Sequence, residues 1–213
     1  MTLPTSGLIT VNDRGARAAT TFGSVAAAGG NMVFIKKLTA SSSATLSFVD
    51  GTSSVVLDNT YKEYIFTFKN IHAATDEAHF TFNMSVDAGS NYNVTKTTTS
   101  FQMYHRENDE ANPAVAYAAS HDLAQGTGFQ NLIIGLGTDN DQNGCGSLHL
   151  FNPSSTTFVK HFIAVISNTE ANDYATQFDI AGYGNTASAV DAIQFKMSSG
   201  NIDAGDICLY GIL

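Results

Sequence analysis

Tryptophan is absent from these 213 residues, proline occurs three times, cysteine twice, and only 14% of the side chains are charged. An ordinary soluble domain carries about 25% charged residues. Two cysteines, Cys145 and Cys208, cannot build a multi-bridge framework, and their spacing fits no zinc motif. A single disulfide and a pair of small buried strand residues both remain open for them. No run of about 18 apolar residues occurs, so no helix-type membrane span is expected. Basic residues are scarce: ten against nineteen acidic ones, a net charge of −9. That field repels nucleic-acid phosphates and anionic lipid alike, which argues against nucleic acid and membrane as partners. The opening MTLPTSG has neither a basic nor an apolar signal region, and a soluble protein made in a cytoplasm is expected.

What is present favours a packed body. Hydrophobic residues reach 43%, with 14 Phe and 8 Tyr, a composition a disordered chain does not have. The length suits one domain, or a domain with an arm, able to bury about 70% of its unfolded surface. Residues 1–30 differ from the rest: after Arg14 and Arg17 comes a small, almost uncharged stretch rich in Ala and Gly. It is too poor in apolar surface for a core of its own. Residues 1–30 are therefore expected to be an extended anchoring arm and residues 31–213 the folded domain. Residues 1–40 carry +3, which leaves −12 on the remainder. A basic arm with Arg14 and Arg17 as assembly contacts could dock on the acidic face of a neighbour.

From Asn31 onward the apolar period is two. Ala78, Phe80, Phe82, Met84 and Val86 alternate with His79, Thr81, Asn83 and Ser85, the pattern of a half-buried strand. Similar runs are Tyr64-Phe66-Phe68, Leu132-Ile134-Leu136, Phe158-Phe162-Ile166 around Lys160 and Ala164, and Ile193-Phe195-Met197. Shorter candidates lie near 32–38, 44–49, 99–104, 145–151, 174–180 and 206–212, with Gly, Asn, Asp and Ser between them. Only residues 113–122 admit a short helix, and Val115-Tyr117-Ala119 reads equally well as a strand. About ten strands with one apolar face each need a second sheet to cover them. The expected fold is all-β: an antiparallel two-sheet sandwich of the jelly-roll kind.

Motifs for chemistry are few. There is no G-x-S-x-G, no phosphate-binding P-loop and no G-x-G-x-x-G. His72, His79, His105, His121, His149 and His161 stand singly, without the spacing of a local metal pair. Glu107 and Asp109 could act as acid and base on a glycan, but neighbouring acids on one loop more often form a solvated turn. Residues 139–144, DNDQNG, match the first half of a calcium loop, in which Asp139, Asp141 and Asn143 would supply alternate oxygens. The closing Glu is missing, with Leu150 in its place, and Asn143-Gly144 is also a favoured hairpin turn. Calcium is the one cofactor this pattern admits. Sugar binding would rest on tyrosines such as Tyr92, Tyr104 and Tyr117, which could equally serve a subunit contact.

Three stretches carry a resemblance: residues 58–71 (DNTYKEYIFTFKNI) with 74–76, residues 150–162 (LFNPSSTTFVKHF), and residues 193–202 (IQFKMSSGNI) leading to 207–212 (ICLYGI). In this order, with LPTSGLI at 3–9, they resemble a domain that recurs in structural proteins of tailed-bacteriophage virions, tail-fibre and other surface components among them. The resemblance implies a non-enzymatic β-sandwich on the particle surface of a virion, made in the host cytoplasm. It further implies a homo-oligomer, with a trimer as the analogy from phage fibres, and no catalytic residues to transfer. The expected role is a tail-associated or fibre component joined to other virion proteins through the N-terminal arm. It would meet a host-surface glycan through loops 87–95, 105–113 and 137–144. A capsid decoration or head-fibre protein is the alternative in the same class. A carbohydrate-binding module and, more distantly, a glycan hydrolase are the alternatives outside it.

Overall fold

The computed structural model describes residues 31–110 and 113–213, so the arm with Arg14 and Arg17 lies outside the described residues. Twelve strands and no helix occur among the described residues: β1 (Met32–Ser43), β2 (Leu46–Val49), β3 (Glu63–Ala73), β4 (Ala78–Ser85), β5 (Lys96–Arg106), β6 (Ala114–Tyr117), β7 (Gln130–Leu136), β8 (Gly144–Phe151), β9 (Lys160–Thr169), β10 (Tyr174–Gly184), β11 (Ala192–Met197) and β12 (Ile202–Ile212). One sheet has eight strands in the order β1-β12-β3-β8-β9-β10-β5-β6 and the other has four, β2-β11-β4-β7. All neighbouring strands run antiparallel.

The expected all-β sandwich is therefore observed. Eight of its strands, β1-β12-β3-β8 against β2-β11-β4-β7, follow the jelly-roll order of two Greek keys. The other four are insertions. β5 and β6 fall between β4 and β7 in the chain, β9 and β10 between β8 and β11, and together they extend the large sheet as β9-β10-β5-β6.

Phenylalanine alternation builds the core. Phe195 of β11 stacks on Phe80 of β4 at 5.6 Å between ring centroids, and meets Phe66 and Phe68 of the opposite sheet at 5.5 and 5.3 Å. Phe82 reaches Phe162 of β9 at 5.0 Å, which brings the first inserted strand into the same core. Edge-to-face and offset contacts at these separations are the favoured ones for aromatic rings.

Several expectations change. β4 is buried on both faces, because its polar positions Thr81, Asn83 and Ser85 are covered as completely as Phe80 and Phe82. The segments on either side of residue 90 and around 127 lie over this face. Asn83 Nδ2 donates to the carbonyls of Tyr92 (2.7 Å) and Thr127 (2.9 Å), and Ser85 Oγ donates to Asp87. Two residues read as part of apolar faces lie outside their strands and are exposed: Val86 follows β4, and Phe158, at 69% exposure, precedes β9. Residues 114–117 form strand rather than helix, an edge position paired to β5. Cys145 and Cys208 are free and half-buried on β8 and β12, with β3 between those strands, so neither the disulfide nor full burial is observed. Asn143-Gly144 is no hairpin tip either. β7 and β8 belong to different sheets, and the turn that joins them runs from Asp139 to Gln142, whose N–H donates to the Asp139 carbonyl at 2.9 Å.

Candidate functional site

The inserted strands β9-β10-β5-β6 present two faces of different chemistry. Side chains alternate along a strand, so neighbours paired in register share a face. On the outer face, away from the sandwich core, stand Phe101 and Met103 of β5, Val115 and Tyr117 of β6, and Ile163 and Val165 of β9. All six are exposed, Val115 to 74%. Phe101 pairs with Tyr117 in register, their rings edge to face at 5.8 Å. Ala175 and Ala181 of β10 lie between the larger residues and leave two shallow grooves, of about 480 and 420 Å³. The six exposed side chains together present on the order of 500 Å², near the top of the range of about 300–600 Å² for the largest apolar patch of a monomer.

Charge is sparse on this face. Asp179 of β10 is held by Gln177 Nε2 at 3.1 Å, and Tyr117 donates its hydroxyl to Asp122, which raises the Tyr117 pKa. His161 packs on the Tyr183 ring at 5.8 Å. An apolar centre with aromatic and Met side chains and a thin polar rim is the composition of a protein–protein contact.

The opposite face changes character along its length. Phe178 and Ile180 of β10 point into the core, with Ser100 of β5 buried beside them. Toward the Tyr174 end of the same strands the corresponding positions become Gln102, Tyr104 and Arg106 on β5, with Tyr174 and Thr176 on β10. Here Gln102, Tyr104, Tyr174 and Glu170 line a cleft of about 240 Å³. The Tyr104 and Tyr174 rings stand at 78° to each other, 5.8 Å apart, and the Arg106 guanidinium lies 5.5 Å from the Tyr174 ring centre. Glu170 belongs to the turn between β9 and β10 and accepts a 2.9 Å hydrogen bond from the Thr176 hydroxyl. Burial raises its pKa, and that hydrogen bond partly offsets the rise.

Compared with family models, curated proteins and solved structures, the chain matches none.

The residues singled out in the sequence are dispersed. Asp139 and Asp141 lie on the exposed turn between β7 and β8. The Asp139 carbonyl meets His72 Nε2 at 3.2 Å, and Asn143 turns its amide to the Asp141 carbonyl at 3.3 Å. Among the described residues no three His, Cys, Asp or Glu side chains group as a metal site. Glu107 and Asp109 share one exposed turn after β5, where Asp109 Oδ1 meets His105 Nε2 at 2.9 Å. Three histidines in the alternating runs have partners: His149 Nδ1 meets Glu63 at 2.6 Å, His79 Nδ1 accepts from the Gly135 N–H at 3.0 Å, and His161 has the Tyr183 ring.

The three loops expected to meet a host do not converge. Glu107 N–H donates to the Asp173 carbonyl and Gln142 Nε2 to the Asp173 side chain, so the described part of loop 105–113 and loop 137–144 adjoin the β9–β10 turn. Loop 87–95 instead adjoins the far end of β10, through Asn185 N–H on the Thr95 carbonyl. An eleven-residue strand separates those ends, roughly 35 Å. Of the tyrosines considered for sugar, Tyr104 enters the cleft, Tyr117 lies on the outer face, and Tyr92 packs near Asn83 through its carbonyl. Tyr174, Gln102 and Glu170 belong to no motif in the sequence. The alternation of Phe101 and Met103 with Gln102 and Tyr104 was the available signal, but it does not say which face a second sheet leaves open.

Proposed function

We propose that the chain is a non-enzymatic structural protein on the surface of a tailed-bacteriophage virion, a tail-associated or fibre component. The outer apolar face of β9-β10-β5-β6 carries this reading. Residues 31–213 bear ten more acidic than basic side chains, and repulsion opposes their close approach to like bodies everywhere except at a face almost without charge. Such a face suits packing against further copies or other virion proteins in a repetitive assembly. The order of the three resembling stretches supplies the phage context, and the arm with Arg14 and Arg17 would hold the protein to the particle.

The test is location. Gold-labelled antibody against residues 31–213 is imaged by electron microscopy on intact particles of the phage that encodes the chain. Label on the tail is the expected result. Label over the head moves the protein to capsid decoration or head fibre. No label, with the protein missing from the mass spectrum of purified particles, removes the virion reading. A chain that binds glycans without being retained on particles would be a carbohydrate-binding module instead.

A further inference from the structure

We propose that the cleft at the Tyr174 end of the inserted strands binds a single neutral sugar residue, held by the Tyr104 ring and the polar groups of Gln102 and Glu170. The cleft lies where the core-side face of β5 and β10 loses its apolar character: Phe178 and Ile180 are buried, whereas Gln102, Tyr104 and Tyr174 are half-buried. A strand end that only had to meet water would need no two aromatic rings set as floor and wall. Arg106 lies over the Tyr174 ring, so the Tyr104 ring is the platform left for a ligand.

Hydrogen-bonding capacity in the cleft is unspent. Among the described residues, the hydroxyls of Tyr104 and Tyr174 and the amide of Gln102 have no partner, and Glu170 uses only the oxygen that accepts from Thr176. These groups supply both donors and acceptors, which is what sugar hydroxyls require. The C–H face of a pyranose packs on an aromatic ring, and its hydroxyls would take up the amide and carboxylate. Other ligand classes fit poorly. An anion would meet the Glu170 carboxylate while the nearby Arg106 guanidinium already faces Glu110 at 3.6 Å, a hard cation would find one carboxylate where it needs six or more oxygens, and an apolar molecule would strand the polar groups. At about 240 Å³ the space lies below the roughly 300–1,000 Å³ of sites for drug-sized ligands, and so admits one ring rather than a longer chain.

This inference deepens the virion-surface reading, and rests on it only for where the sugar is met. The exposed residues 107–110 and 138–141 flank the same end of β10, so a host glycan reaching them would reach the cleft.

The experiment is saturation-transfer NMR of the full chain with methyl glucoside, methyl galactoside and N-acetylglucosamine as probes. Transfer to the ring protons of at least one probe is expected, falling at least tenfold in Tyr104→Ala and in Gln102→Ala. The Gln102 side chain makes no hydrogen bond among the described residues, so Gln102→Ala decides the matter should Tyr104→Ala fail to fold by thermal melt. Thr156→Ala, at an exposed position before β9 and at the opposite end of β10 from the cleft, should keep the wild-type transfer. No transfer from any of the three probes, or transfer that survives in Gln102→Ala and in folded Tyr104→Ala, overturns the site. Sugar binding by a chain missing from particles would remove the virion reading and leave the site. Particle-bound protein without transfer would do the reverse.

Discussion

Lys96 extends its ammonium beneath the segments that cover β4, to donate to Asn83 Oδ1 and to the Val94 carbonyl, and among the described residues no carboxylate pairs with it. The side chain is fully buried. It ties the first residue of β5 to the polar face of β4, and so fixes where the inserted strands leave the jelly-roll core. Burying an ammonium without a counter-charge disfavours the charged form, and its pKa falls to about 7.

That relationship sets a pH dependence. The folded pKa lies below the unfolded value of about 10.4, so between the two the unfolded chain binds more protons and stability rises with pH, by at most about 1.4 kcal/mol per unit. Below about pH 7 the contribution is flat. Lys160, also fully buried and donating to the carbonyls of Phe158 and Thr186, adds the same sign. Urea titrations at pH 7.0 and 9.5 should show wild type more stable at the higher pH, and Lys96→Met should have the smaller difference. Asn83 Oδ1 keeps the Met84 N–H as donor in that variant. An unchanged difference would mean that Lys96 is not titrating in this range.

A second pH window involves His79 and His121, whose rings meet edge to face at 5.3 Å. Burial lowers both pKa values, and for His121 the neighbouring His79 adds to the effect. Asn131 and the Gly135 N–H occupy their Nδ1 atoms. The folded state therefore holds fewer protons than the unfolded one just below pH 6.5, and stability falls as pH drops from 6.5 toward 5. Thermal melts by circular dichroism should show this loss, reduced in His121→Gln. The Asp87 carboxylate, held near pKa 2 by Asn91 and Ser85, contributes only at lower pH.

Phe195 joins the two sheets at the centre of five neighbouring rings, Phe48, Phe66, Phe68, Phe80 and Phe82. Phe195→Ala should cost about 3–5 kcal/mol, read as a fall in urea midpoint. A loss below about 1 kcal/mol would mean that the surrounding rings close the cavity.

The outer face should govern self-association. Val115→Asp combined with Phe101→Ser removes two of the six exposed apolar side chains, and light scattering should then report a smaller assembly than wild type with an unchanged melting temperature. The same mass for both would place the contact elsewhere.

Arg14→Ala with Arg17→Ala should lower the occupancy of the protein on purified particles if charge latches the arm. Equal occupancy by quantitative mass spectrometry removes that latch.

Alternation of period two was legible in the sequence over Tyr64-Phe66-Phe68, Ile193-Phe195-Met197 and the rest, and it settled the fold class, because one apolar face per strand requires a second sheet. It also located the core, since a phenylalanine on every second residue has few places to go but inward. Tertiary structure decided the rest. A strand's own residues do not name its partner, so the placement of β5, β6, β9 and β10 on one side of the large sheet was invisible, and with it the outer apolar face. Nor can period two distinguish a strand covered once from one covered twice. Thr81 and Asn83 read as the polar face of a half-buried strand, and the segments around residues 90 and 127 close over them. The cleft has the same origin. Gln102 and Tyr104 face inward like Phe178 and Ile180, and only the local opening of the sandwich turns that direction from core into site.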